Sequence, residues 1–164
     1  MELTEYGIKQ MWPDKVTDTG TTQLNGLGVI RFEGNKTYRY VQVVDKALTL
    51  GDSVCAASTG DGVVTSDRSG GSQLAFLTRG VAIGAIASGS YGWVQTKGIA
   101  VVQCDGGVAA GDGLVPHATA DGHADTVNAA SDAANTEYQV FGFALTDDAG
   151  SSDGDTDTAY INCP

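Results

Sequence analysis

Several residues in this chain are of types that do chemistry, and each has a plainer use. Gly51-Asp52-Ser53 sets a serine behind a tight-turn pair, a setting in which some serine nucleophiles are found. A serine attacks only when a neighbouring base takes its proton. The only histidines are His117 and His123, in a turn-rich stretch with no supporting carboxylate pattern. Val54 stands where such a motif needs a further glycine, and the related Gly111-Asp112-Gly113 has no serine. Turn formation explains both Gly-Asp pairs, and no catalytic residue is expected.

His117 and His123 are also metal-ligand types, with Asp121 and Asp125 nearby. Their separation of six residues fits neither an i, i+4 helical pair nor a zinc-finger spacing, so they read as solvated side chains. Asp153, Asp155 and Asp157 open like a calcium loop. Thr158 replaces the sixth-position glycine and no glutamate stands at the twelfth, so 147–157 reads as a solvated acidic loop. Asn35-Lys36-Thr37 matches a glycosylation acceptor, which has no consequence without a secretory signal. Neither a P-loop nor a dinucleotide-binding glycine pattern is present. No metal or cofactor is expected. Trp12, Tyr38, Tyr40, Tyr91 and Trp93 are the raw material of a sugar-binding face, although strand-borne aromatics more often fill a core or a subunit interface.

The elements that carry these residues are short and β-like. Of 164 residues, 23 are glycine, and they interrupt brief apolar runs; that argues against long helices. Leu27–Phe32 and Thr37–Val44 flank Glu33-Gly34-Asn35 and predict a hairpin. Further strands are expected in Leu48–Ala56, Val63–Thr65, Leu74–Leu77, Val81–Ala87, Tyr138–Leu145 and Ala159–Asn162. Tyr91–Val102 reads as two buried strands around a turn. Residues 1–24 hold no sustained period and read as an extended N-terminal arm before a single β domain over 25–164.

The domain nearly repeats itself. YRYVQ at Tyr38–Gln42 returns as YGWVQ at Tyr91–Gln95, and LTLGDSV at Leu48–Val54 returns as VAAGDGL at Val108–Leu114. TGDG at Thr59–Gly62 returns as TADG at Thr119–Gly122. Two quasi-repeats, about 38–90 and 91–164, are what a duplicated β unit with loop insertions gives. The fold expected is all-β: a compact antiparallel barrel or sandwich.

Charge narrows the partners. The net charge is −11, and it is lopsided: all nine Lys and Arg lie at or before Lys97, balanced there by nine acids, while 98–164 hold eleven acids and no Lys or Arg. Such a surface repels phosphate backbones and acidic membranes, so neither nucleic acid nor membrane is an expected partner. No apolar run approaches the ~20 residues of a membrane-spanning helix. Cys55, Cys104 and Cys163 are odd in number and lack CxxC spacing, which suits reduced thiols.

The arm, the paired YxxVQ strands, the repeated Gly-Asp turns and the run GVAIGAIASGSYGWVQTKGIAVV together resemble the small head decoration, or cement, proteins of tailed bacteriophages. The resemblance spans roughly 20–164 and implies a β-tulip-like body that binds the outside of the capsid and stabilises the major capsid protein lattice. It also implies a homotrimer, a virion location after assembly in the host cytoplasm, and no enzymatic activity. The contact residues expected are Met11 and Trp12 in the arm, with Tyr38 and Tyr40. The alternative is a carbohydrate-binding module of a head fibre or tail spike, with Tyr91 and Trp93 on an exposed face.

Overall fold

Strand propensity and glycine turns produce ten strands and no helix among the described residues. The structure, a computed structural model, describes residues 12, 14–57, 62–68, 74–127, 140–147 and 155–164. In chain order the strands are β1 (Ile30–Glu33), β2 (Lys36–Val43), β3 (Ser53–Ala56), β4 (Val63–Thr65), β5 (Leu74–Ala82), β6 (Tyr91–Cys104), β7 (Gly113–Pro116), β8 (Ala124–Thr126), β9 (Gly142–Ala144) and β10 (Asp155–Asn162). The β1–β2 hairpin forms as the sequence predicts, with Glu33 opposite Lys36 across a two-residue loop.

The strands close into two rings that share β6. In the first, β2, β4, β3 and β5 follow one another and the start of β6 returns to β2, from Gln42 opposite Tyr91 to Tyr38 opposite Gln95. In the second, β10, β9, β7 and β8 follow the end of β6, and Cys104 meets Ala124 to close the circle. All neighbours are antiparallel except β2–β4 and β6–β8, so the barrels are mixed rather than antiparallel. Closure leaves few unpaired strand edges.

The rings are copies in register, not only in style. Cys55 opposite Thr65 recurs as Val115 opposite Asp125, sixty residues on. Ser53 opposite Val81 recurs as Gly113 opposite Phe143. Tyr40 opposite Trp93 recurs as Val101 opposite Thr158. The Gly-Asp turns match as well. Gly51 and Gly111 have φ of 91° and 96°. The carboxylate that follows each accepts a backbone N–H, Thr49 to Asp52 at 2.7 Å and Ala109 to Asp112 at 3.0 Å.

Two expectations change. Tyr91–Cys104 is one 14-residue strand, not two around a turn. A bulge where Tyr38 gives way to Thr37 lets it pass from one ring to the other. Consequently YRYVQ and YGWVQ are cross-strand partners in the first ring rather than equivalent copies, and β6 belongs to both repeats instead of opening the second.

Each ring fills its interior with small and branched residues at matching positions. Val43, Val54, Val64, Ala82 and Val94 in the first correspond to Cys104, Leu114, Ala124, Ala144 and Ala159 in the second, all buried. Fully burying a valine or leucine stabilises the fold by ~1.5–3 kcal/mol, so these positions dominate stability.

The duplicated turn permits a controlled test. A Cβ on Gly51 would sit 2.9 Å from the Gln103 backbone nitrogen, whereas one on Gly111 would meet nothing within 4 Å. Gly111→Ala is expected to lose the ~1–2 kcal/mol of left-handed strain alone. Gly51→Ala adds overpacking of ~1–3 kcal/mol and should have clearly the lower urea midpoint.

Candidate functional site

The motif residues converge on the seam between the rings, and there they hold backbone together. Ser53 is fully buried, and its N–H donates to the Gly122 carbonyl at 2.6 Å. Its hydroxyl donates to the His123 main-chain carbonyl at 3.2 Å and accepts from Arg68 Nη2 at 3.2 Å. A hydroxyl has one proton, and here it goes to a carbonyl rather than to an imidazole that could act as base. Arg68 Nη1 also contacts Cys55 Sγ. Asp121 accepts the Arg68 backbone N–H at 2.6 Å and the Lys46 ammonium at 2.9 Å. Burial raises the Asp121 carboxyl, but the Arg68 and Lys46 bonds outweigh it and hold it below its usual range. Asp52, which closes its own turn, is pushed up by burial.

The other polar candidates also have structural partners. His117 Nε2 donates to Asp105 Oδ2 at 2.6 Å. Its Nδ1 accepts the backbone N–H groups of Thr119 and Ala120 at 3.1 and 2.7 Å, so the side chain closes a turn and is not merely solvated. Among the described residues no three His, Cys, Asp or Glu side chains gather closely enough to hold a metal ion. Asp153 lies outside the described residues. Asp155 and Asp157 start β10, and Asp157 is buried and accepts from Thr146 Oγ1 at 3.2 Å, so this end of 147–157 is strand rather than solvated loop. None of the three cysteines forms a disulfide; burial raises the Cys55 thiol and pushes Cys163 up to about 12, which leaves little nucleophilic thiolate. A cleft of about 370 Å³ lined by Leu27, Gly62, Arg39 and Arg79 contains none of the candidate serine, histidine or cysteine residues.

The expected contact aromatics form a satellite core on the outside of the first ring. Met11 lies outside the described residues. Trp12 packs edge-on against Trp93 with centroids 5.1 Å apart, and the Arg31 guanidinium lies 5.6 Å from both rings. Trp93 is wholly buried and donates its Nε1–H to Asp14 Oδ2 at 2.7 Å. Tyr38 and Tyr40 are buried too, and the Tyr40 hydroxyl accepts the Leu24 N–H at 3.1 Å. Trp12, Asp14, Val16 and Gly20 therefore anchor the N-terminal segment to the body, with Gly20 bridging to Tyr91, while 17–24 stays exposed. Val41 and Val43 fill the ring interior while the N-terminal segment covers Tyr38 and Tyr40, so both faces of β2 are buried. Tyr38 and Tyr40, expected as contacts, are buried in this fold; of the pair expected on a sugar-binding face, Trp93 is buried and Tyr91 half-buried.

What the structure leaves open to solvent is apolar and lies elsewhere. Ile99, Tyr160 and Phe143 stand opposite one another across β6, β10 and β9 and are exposed. Val101 and Thr158 form the next row, which Leu145 completes, its N–H bonded to the Thr158 carbonyl. Strand β1 pairs only with β2 among the described residues and shows Phe32 at 75% exposure. The run KGIAVVQC is apolar at both parities, which in a sequence reads as burial on both faces. Its alternation of exposed Lys97, Ile99 and Val101 with buried neighbours appears only in the fold.

No protein-family model matches the sequence, and no curated protein matches it. The fold is similar to a solved structure described as the head fiber gp8.5 N base in bacteriophage phi29, with a TM-score of 0.51 and 17% identity over 77% of this chain and 94% of that one.

Two outcomes follow from the seam and the satellite core. Trp12→Ala is expected to destabilise the isolated fold by ~1–3 kcal/mol, read as a lower denaturant midpoint with loss of near-UV dichroism. A carboxyl held below its usual range stabilises the fold above its unfolded pKa, ~3.9, and that contribution fades as pH falls through the folded value. Asp121→Asn should therefore lose ~1 kcal/mol at pH 7 and show a shallower fall in stability below pH ~4, because Lys46 is half exposed and the Arg68 bond carries most of the effect.

Proposed function

We propose that this protein is a structural component of a phage head that binds the outer surface of the capsid and stabilises the major capsid protein lattice. It acts as a binding block and not as an enzyme, needs no cofactor, and associates with the shell and with its own copies. It is assembled onto the particle in the host cytoplasm. The observation that carries this reading is the exposed, one-sided edge strand β1 with Phe32 in solvent, on a closed body whose fold is shared with a phage head-fibre base. An open edge accepts a strand from a neighbouring subunit through main-chain hydrogen bonds, and an apolar side chain beside it supplies affinity.

Charge supports an orientation. The first ring carries the basic residues, among them Arg31, Lys36 and Arg39 on the hairpin, so it would meet the shell. The acid-rich second ring would face outward and limit aggregation of particles. A second reading, favoured by the fold likeness, makes the chain the base of a head fibre. For the carbohydrate-binding form of that alternative, Tyr91 is half-buried and Trp93 buried, so it draws less support.

The deciding experiment is cosedimentation with emptied, expanded capsids of the parent phage and, separately, with polysaccharide. Saturable binding to capsids is expected. Phe32→Ser, on an exposed side chain, should leave the melting temperature within ~2 °C and weaken capsid binding about tenfold. Binding to polysaccharide with none to capsids would overturn the reading.

A further inference from the structure

The cleft of about 370 Å³ lies at one end of the first ring, where β3 finishes and β4 starts. Its walls are apolar, from Leu27, Ala56, Val63 and Val64, and two arginines line it as well, Arg39 on β2 and Arg79 on β5. Arg39 continues the inward row of Val41 and Val43 and stands opposite Val94, so it belongs to the interior face of the ring. Arg79 sits at a bulge: Val54 faces Gly80 and Cys55 faces Thr78, which leaves Arg79 as the extra residue between them. A bulge re-aims the side chain it carries, and bulges are over-represented beside functional sites. Among the described residues no acidic side chain lines this cleft.

The duplicated ring supplies the comparison. Tyr40 opposite Trp93 recurs as Val101 opposite Thr158, so the counterpart of Arg39 is Ala100. Val54 opposite Gly80 recurs as Leu114 opposite Gly142, so the counterpart of Arg79 is Phe141. Ala100 and Phe141 are both buried in the core of the second ring. The same wiring therefore puts apolar side chains at these two positions in one copy and two permanent positive charges in the other. Stability alone favours the apolar solution, because like charges lining one cleft repel and a half-buried cation is partly desolvated. An anion seated between the arginines offsets both costs, and a guanidinium fork binds a carboxylate or phosphate through paired hydrogen bonds.

We propose that this end of the first ring binds a small organic anion, its carboxylate or phosphate head held by Arg39 and Arg79 and a short apolar body lying against Leu27, Ala56, Val63 and Val64. Barrel mouths are common places for ligands, and the cleft falls at the lower end of the ~300–1,000 Å³ that ligand pockets occupy, which suits a body of a few carbons. The site does not depend on the capsid reading, which uses β1.

The test is titration of the full chain at low salt with inorganic phosphate, butyrate and monobutyl phosphate, followed by calorimetry and by the arginine Nε–H signals in nitrogen-edited NMR. Saturable binding of monobutyl phosphate or butyrate is expected with a Kd of ~1 mM or tighter, and the stronger of the two identifies the head that the arginines take. Monobutyl phosphate should bind at least ~5-fold more tightly than inorganic phosphate, because its body buries apolar surface. The Arg39 and Arg79 signals should shift along the same saturation curve. Arg79→Gln, and Arg79→Phe after the second ring, should each weaken binding at least ~10-fold, with circular dichroism as the control for folding. No saturable binding by the parent overturns the proposal, as does binding that leaves both arginine signals in place or that a folded Arg79→Gln retains in full. The signals are read on the parent protein, so that result stands even where a variant does not fold. Monobutyl phosphate binding no more tightly than inorganic phosphate reduces the site to a non-specific charge contact and overturns it too. Loss of capsid binding by Arg79→Gln, from a parent that binds none of the three anions, assigns the cleft to the shell and overturns it.

Discussion

One strand must satisfy hydrogen bonds along both of its edges with four different neighbours. Strand β6 meets β5 and β2 over its first half and β10 and β8 over its second, so two closed sheets have a common wall. Its 14 residues extend ~46 Å at ~3.3 Å per residue, longer than either ring alone needs. Because side chains alternate with a period of two, a slip of one residue in β6 would turn Val94, Ala100 and Val102 out of both interiors together. The register is therefore fixed from both sides, and the bulge beside Thr37 takes up the mismatch between the rings.

The same wiring carries two different exteriors. The first ring wears a coat: Trp12, Val16, Leu27 and Val29 cover Tyr38, Tyr40 and Trp93, with Asp14 and Arg31 satisfying the polar atoms beneath. The second ring has no equivalent segment over Ile99, Tyr160 and Phe143 among the described residues. Duplication explains why both sheets have apolar residues at outward positions. In the one case chain closes over them, and in the other they stay exposed among the described residues.

At the seam, residues of types found in catalytic sites are used to join the two rings. Gly51-Asp52-Ser53 and Thr119–Gly122 are turn chemistry, and folding the two turns together sets a buried serine, an arginine and a carboxylate side by side. What they bond is chiefly main chain: the Gly122 and His123 carbonyls and the Thr49 and Arg68 amides. Buried polar groups must be paired, and these side chains pair the backbone where the rings abut.

Local chemistry alone determined much of this molecule. Gly34-Asn35 placed the first hairpin, β-branched runs marked β2, β4 and β10, and the Gly-Asp pairs at 51 and 111 identified positions that prove equivalent in φ and in hydrogen bonding. These signals are legible because turn conformation and strand propensity depend on a few adjacent residues. Tertiary structure decided the rest. It made Tyr38–Gln42 and Tyr91–Gln95 partners instead of copies, folded Trp12 onto the body, buried Asp157, and left Phe143 and Tyr160 in water. None of that is written in a strand's own residues, because whether its second face is buried depends on which distant segment lies over it.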